Sequence, residues 1–108
     1  MFSALLGGRV EDVGHLLDGG AEINETDRDG RTPLFVASRE GHAAVAELLL
    51  DRGADVDKAK QSGATPLFIA SGMGHAAIAA LLLDRGADVD KAIKDGETPL
   101  YIALSLIH

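Results

Sequence analysis

Apolar and polar positions in this chain repeat with a period far longer than that of any helix or strand. Residues 27–59 and 60–92, overlaid at an offset of 33, agree at 24 of 33 positions. In each copy a short apolar run follows a Thr-Pro pair: Leu34 to Ala37 after Thr32-Pro33, Leu67 to Ala70 after Thr65-Pro66. Leu34 and Ala37 stand three apart, on one face of a helix. Thr32 is placed to accept from backbone N–H groups as an N-cap, and Pro33 suits the first helical position, where its missing donor costs nothing. Gly41 supplies a stop. A second helix is predicted from about residue 43, with Val45, Leu48 and Leu49 on one face, Arg52 in its last turn and Gly53 at its end. Residues 54–63 are polar and turn-rich around Val56, the pattern of an extended loop or hairpin. Each unit therefore reads helix, turn, helix, hairpin.

Self-similarity at this period marks a solenoid of stacked units, none of which buries its apolar face alone; about three are needed for stability. The expected architecture is all-α: one domain over 1–108, with units at about 1–26, 27–59, 60–92 and 93–108. The first unit is degenerate. Gly20-Ala21, Ile23 and Asn24 match Gly53-Ala54, Val56 and Asp57, while Leu16 and Leu17 match Leu49 and Leu50. Its first helix is expected to be short, over about 2–6. The last unit opens with Thr98, Pro99, Leu100, Tyr101, Ile102 and Ala103 and stops at His108, before a second helix. Terminal units normally carry a polar outer face. Here Leu104, Leu106 and Ile107 lead to the expectation that the last helix either frays or associates weakly, end to end, with a second copy.

These motifs resemble the ankyrin repeat. The family pattern T-P-L-H-x-A stands here as Thr32 to Ala37, Thr65 to Ala70 and Thr98 to Ala103, always with an aromatic in place of His. The Gly-His step stands as Gly41-His42 and Gly74-His75. The G-A-D-V-N turn stands as Gly53 to Asp57 and Gly86 to Asp90, with Asp for Asn, and as Gly20 to Asn24 in the first unit. The resemblance spans nearly the whole chain. It implies helix pairs joined by β-hairpin loops, and a role in protein–protein recognition through the hairpin tips and the concave first-helix face. The aromatic substitution implies loss of an inter-unit hydrogen bond usual in the family, with a stacked ladder of Phe35, Phe68 and Tyr101 expected instead.

Charge and composition narrow the function. The formal net charge is −7, against the basic face that a general nucleic-acid or anionic-membrane binder needs. With no cysteine, neither a disulfide framework nor a thiolate metal site exists. The apolar runs are too short to span a bilayer, and the start of the chain lacks the basic region of a secretory signal, so an intracellular, cytoplasmic protein is expected. His42, His75 and His108 recur one unit apart; stacking at helix-packing distances of about 10 Å holds them too far apart to share a metal, so repeated structural hydrogen bonds are expected. Ser38, Ser71 and His42 lack an acid that would orient a base. Gly72-Met73-Gly74 ends a helix and does not cradle a phosphate. The aspartates at 51, 55 and 57, and again at 84, 88 and 90, lack calcium-loop spacing and are expected to cap turns, with Lys58 and Lys91 partly neutralising them. No catalytic residue, metal or cofactor is assigned.

The nine differences between the two copies are more informative. Val36/Ile69 and Val45/Ile78 keep core volume, and Glu47/Ala80 is expected on the outer helix. The other six pair Asp27, Arg28, Asp29, Arg31, Arg39 and Glu40 with Lys60, Gln61, Ser62, Ala64, Gly72 and Met73. They cluster in the hairpin and at the end of the first helix, which the resemblance makes the partner-binding surface. The expected contact residues are Arg28, Asp29, Arg31, Arg39 and Glu40; Gln61, Ser62, Ala64, Phe68, Gly72 and Met73; and Lys94, Asp95 and Glu97. A partner protein would set an apolar anchor near Met73 and Phe68, between charged flanks. The alternative from another class is a structural or regulatory segment of a larger protein with an enzyme elsewhere.

Overall fold

The computed structural model describes residues 2–88, which form six helices and, among themselves, no strand. Three helix pairs run in chain order: α1 (Phe2–Gly7) with α2 (Val10–Asp18), α3 (Pro33–Glu40) with α4 (Ala43–Asp51), and α5 (Pro66–Gly72) with α6 (Ala76–Asp84). The first helices form one row, with α3 packed between α1 and α5; the second helices form another, with α4 between α2 and α6. The expected hairpins are tight turns: Asp27 N donates to Arg31 O at 3.1 Å, and Lys60 N to Ala64 O at 3.0 Å.

The local signals act as their chemistry requires. Thr32 Oγ1 accepts from Phe35 N, and Thr65 Oγ1 from Phe68 N, both at 3.1 Å, with proline at the first helical position of each helix. Both threonines are buried. Thr65→Ala is therefore expected to lower unfolding free energy by about 1 kcal/mol, read as an earlier urea midpoint with an unchanged slope. The second helices lack this device: His42 and His75 occupy the capping positions of α4 and α6 without a side-chain cap. Packing must hold these helices in place. Val45, Ala46 and Leu49 are buried in α4, and Ile78, Ala79 and Leu82 in α6. Leu48, expected on the core face, is half-buried, and Ala46 takes the interior position.

Leu5, Leu34 and Leu67 lie fully buried in the row of first helices, in one continuous cluster with Val13, Leu49 and Leu82 from the second. Each such side chain contributes about 1.5–3 kcal/mol through burial. Ser38 Oγ, inside the stack, donates a hydrogen bond to Leu34 O at 2.7 Å.

Three polar contacts recur between neighbouring units, each reaching back from a unit to the one before it. His42 Nε2 lies 3.0 Å from Leu6 O, and His75 Nε2 lies 3.0 Å from Arg39 O. A carbonyl only accepts, so Nε2 carries the hydrogen. Arg52 pairs with Asp18 at 2.8 Å and Arg85 with Asp51 at 2.7 Å. Asn24 Oδ1 accepts from Asp55 N at 2.9 Å, and Asp57 Oδ1 from Asp88 N at 3.0 Å. Asp18 and Asp51 thus receive arginines of the next unit and Asp57 a backbone amide, while Asp55 Oδ1 accepts from Asp57 N within its own turn. Lys58 makes no ion pair with them among the described residues. Surface ion pairs are worth about 0.2–1 kcal/mol each, so these contacts fix the register of the units more than they hold them together.

Candidate functional site

The hairpin tips of the second and third units are built differently where their sequences differ. In the first of these tips, Asp27 Oδ1 accepts from Asp29 N at 2.9 Å and Arg31 N at 3.0 Å, and its Oδ2 meets Arg31 Nε at 2.7 Å. Burial pushes the Asp27 carboxyl up, but the Arg31 amide and guanidinium and the Asp29 amide together hold it below the usual carboxylate range. The contribution of Asp27 is complete above the ordinary aspartate pKa and is lost as pH falls through the lowered folded value. On acid titration, the Arg31 amide resonance should move with a midpoint below the usual aspartate range, and Asp27→Asn should abolish that transition.

In the next tip, Lys60 and Ala64 stand where Asp27 and Arg31 stood, so no such staple forms. Gln61 ties this tip to its neighbour instead: its N–H donates to Asp29 O at 3.0 Å and its Nε2 to Arg28 O at 3.1 Å. Lys60 Nζ sits 5.8 Å from the centroid of the Phe35 ring. Between the tips lies a cleft of about 400 Å³ lined by Asp29, Lys60, Gln61 and Ser62.

The structure thus brings Asp29, Gln61 and Ser62 of the expected contact set together, and adds Lys60, which the within-chain comparison flagged as variable. Arg28 is exposed beside them. Arg31 is half-buried and engaged with Asp27, and also reaches Asp29 at 3.6 Å, so it builds the tip. Ala64 departs from the expectation: it is 6% exposed, its small side chain turned inward where the arginine–aspartate staple is absent. At the end of the first helices, Arg39 and Glu40 are half-buried and paired at 3.5 Å; their counterparts Gly72 and Met73 are exposed, Met73 at 53%. Phe68 is half-buried, whereas Phe35 is buried and lies beneath Lys60. Tyr101 of the expected aromatic ladder lies outside the described residues, as do Lys94, Asp95, Glu97 and the last helix with its expected self-association.

Glu47 and Ala80 are exposed on the row of second helices, as expected. A second cleft, of about 370 Å³, lies on the first unit between Ser3, Ala4, Arg9, Asp12, His15 and Leu16. Two of its polar members, Arg9 and Asp12, pair at 3.1 Å. Among the described residues no helix is long and apolar enough to cross a membrane.

Helix pairs stacked in register, tied by backward-reaching histidines and capped by Thr-Pro, define a helical repeat protein. The sequence model of ankyrin repeats, in three copies, matches residues 1–93 and again 60–108, and the chain belongs to that family. A search of the curated proteins finds no match. Ankyrin repeats are in general protein–protein interaction modules, and such domains are typically non-catalytic.

Proposed function

We propose that the chain binds a partner protein through its hairpin tips and the exposed ends of its first helices, on the surface formed by Arg28, Asp29, Gln61, Ser62, Phe68, Gly72 and Met73. Arg31, Arg39 and Glu40 border that surface, and the proposed contact set also includes Lys94, Asp95 and Glu97, which lie outside the described residues. One observation carries this reading. Two units that share their Thr-Pro caps, their buried leucines and their backward histidine and arginine contacts differ in sequence at their tips and first-helix ends, where Arg28, Asp29, Gln61, Ser62 and Met73 are exposed.

Met73 is the apolar anchor. It is 53% exposed at the end of α5, beside exposed Gly72, with half-buried Phe68 on the same helix. A long flexible apolar side chain in the open suits an irregular partner surface, and binding energy concentrates in central apolar contacts ringed by polar ones. A partner recovered with this chain is expected to protect tip and Met73 amides from hydrogen exchange. Met73→Ala should weaken it about tenfold or more, which corresponds to about 1.4 kcal/mol. A footprint on the second-helix face around Glu47 and Ala80 would overturn the assignment.

A further inference from the structure

Among the described residues, the cations divide into two groups. Arg9, Arg31, Arg39, Arg52 and Arg85 each pair with a carboxylate. Arg28, Lys58 and Lys60 have no carboxylate partner within the described residues, and all three lie on the tips or on the loop leading into them. Lys60 rests against the Phe35 ring, a contact that attracts the ammonium without cancelling its charge. In the preceding unit the same position holds Asp27, clamped by Arg31. The exchange of Asp27 for Lys60 and of Arg31 for Ala64 therefore removes a neutralised pair and leaves a cation at the wall of the cleft.

Resting on the function proposed above, we infer that the segment bound across the two tips is acidic: an extended peptide that sets carboxylates against Lys60 and Arg28. The cleft is held ready for it. Gln61 joins the tips by two hydrogen bonds, and Gly30, with φ +78°, leaves the room that Gln61 occupies, its Cγ only 3.1 Å from where a side chain would begin. Asp29 lines the same cleft, its carboxylate 3.6 Å from the Arg31 guanidinium, so the cation left open to a bound carboxylate at this wall is Lys60. The chain as a whole is acidic, at −7. Charges beyond about 8–10 Å are screened at physiological ionic strength, so a short segment responds to the tip cations and not to the distant aspartates.

The test uses three fluorescein-labelled ten-residue probes in which glycine alternates with glutamate, glutamine or lysine, titrated by anisotropy against the full chain. The glutamate probe should bind about tenfold more tightly than the glutamine probe, and the lysine probe should bind more weakly still. Arg28→Gln with Lys60→Gln should reduce glutamate-probe affinity about three- to tenfold, the range expected of two exposed ion pairs, and added salt should have the same effect. Circular dichroism checks that the variant remains folded. Equal affinity for the glutamate and glutamine probes, or no binding of the glutamate probe at millimolar protein, overturns the inference. So does a ten-nucleotide oligothymidine that binds as tightly as the glutamate probe, since it would assign the cations to phosphate. Amide chemical shifts separate the two levels of the argument. Charge-independent binding that perturbs Asp29, Gln61 and Met73 sinks the acidic segment and leaves the surface standing; perturbation confined to the face of Glu47 and Ala80 sinks both.

Discussion

Leu67→Ala should unfold this protein at a markedly lower temperature than the parent. Leu67 is fully buried on α5, within the cluster that runs through all three helix pairs, and α5 packs on both α3 and α6. Truncating a buried leucine removes its transfer free energy and leaves a cavity, together about 2–5 kcal/mol. In a stack whose stability is a sum of unit and interface contributions, this one residue supports its own unit and the junction with the preceding one. For a domain of this size the melting midpoint should fall by at least about 8 °C. Binding at the tips, measured below that midpoint, should keep its affinity. Equal melting midpoints for variant and parent would mean that the core face has been misassigned.

Gly41→Ala should cost about 2–3 kcal/mol, from two causes that can be separated. Gly41 follows α3 with φ +81°, a left-handed conformation that an L side chain resists by about 1–2 kcal/mol. A Cβ there would also stand 2.7 Å from His75 Cε1, and the ring that must move is the one whose Nε2 reaches Arg39 O. Gly8 stands in the same relation to His42. Gly53 supplies the control: its φ is +91°, but a Cβ there meets nothing within 4 Å. Gly53→Ala should show the backbone strain alone. In a His75→Ala background, the effect of Gly41→Ala should shrink to that of Gly53→Ala, giving a coupling energy in a double-mutant cycle. Additive effects of Gly41→Ala and His75→Ala would show that the ring is not lodged over the glycine.

Much of the fold was legible because its signals are local. Thr32-Pro33 and Thr65-Pro66 mark helix starts through a hydroxyl that caps and a ring that needs no donor, and the structure places both as read. The half-burial of Leu48 and the full burial of Ala46 were not legible, since they depend on where α2 and α6 press against α4. The candidate surface was legible as a region, through the differences between two near copies. Its members were not all legible. Arg31 and Ala64 differ because one tip is stapled within itself and the other is not, a distinction between building a turn and presenting a side chain that a list of differing positions cannot make.

Residue order alone was enough for the repeat length, the starts of the first helices at Thr-Pro, the burial of Leu34, Leu49 and Leu67, and the family. All of these follow from residues within a few positions of one another, or from a copy 33 residues away. The contacts between units emerge on stacking. His75 reaches Arg39, Arg85 reaches Asp51, and Asp88 reaches Asp57, at separations of 36, 34 and 31 residues, none of them the repeat length itself. Those offsets are set by how one unit is displaced as it stacks on the next, and packing of apolar faces fixes that displacement. The same stacking brings Gln61 onto the backbone of Arg28, one repeat length before it, and of Asp29, and leaves Lys60 at the cleft wall without a carboxylate partner among the described residues; both depend on which side chains the two tips carry once stacking sets them side by side.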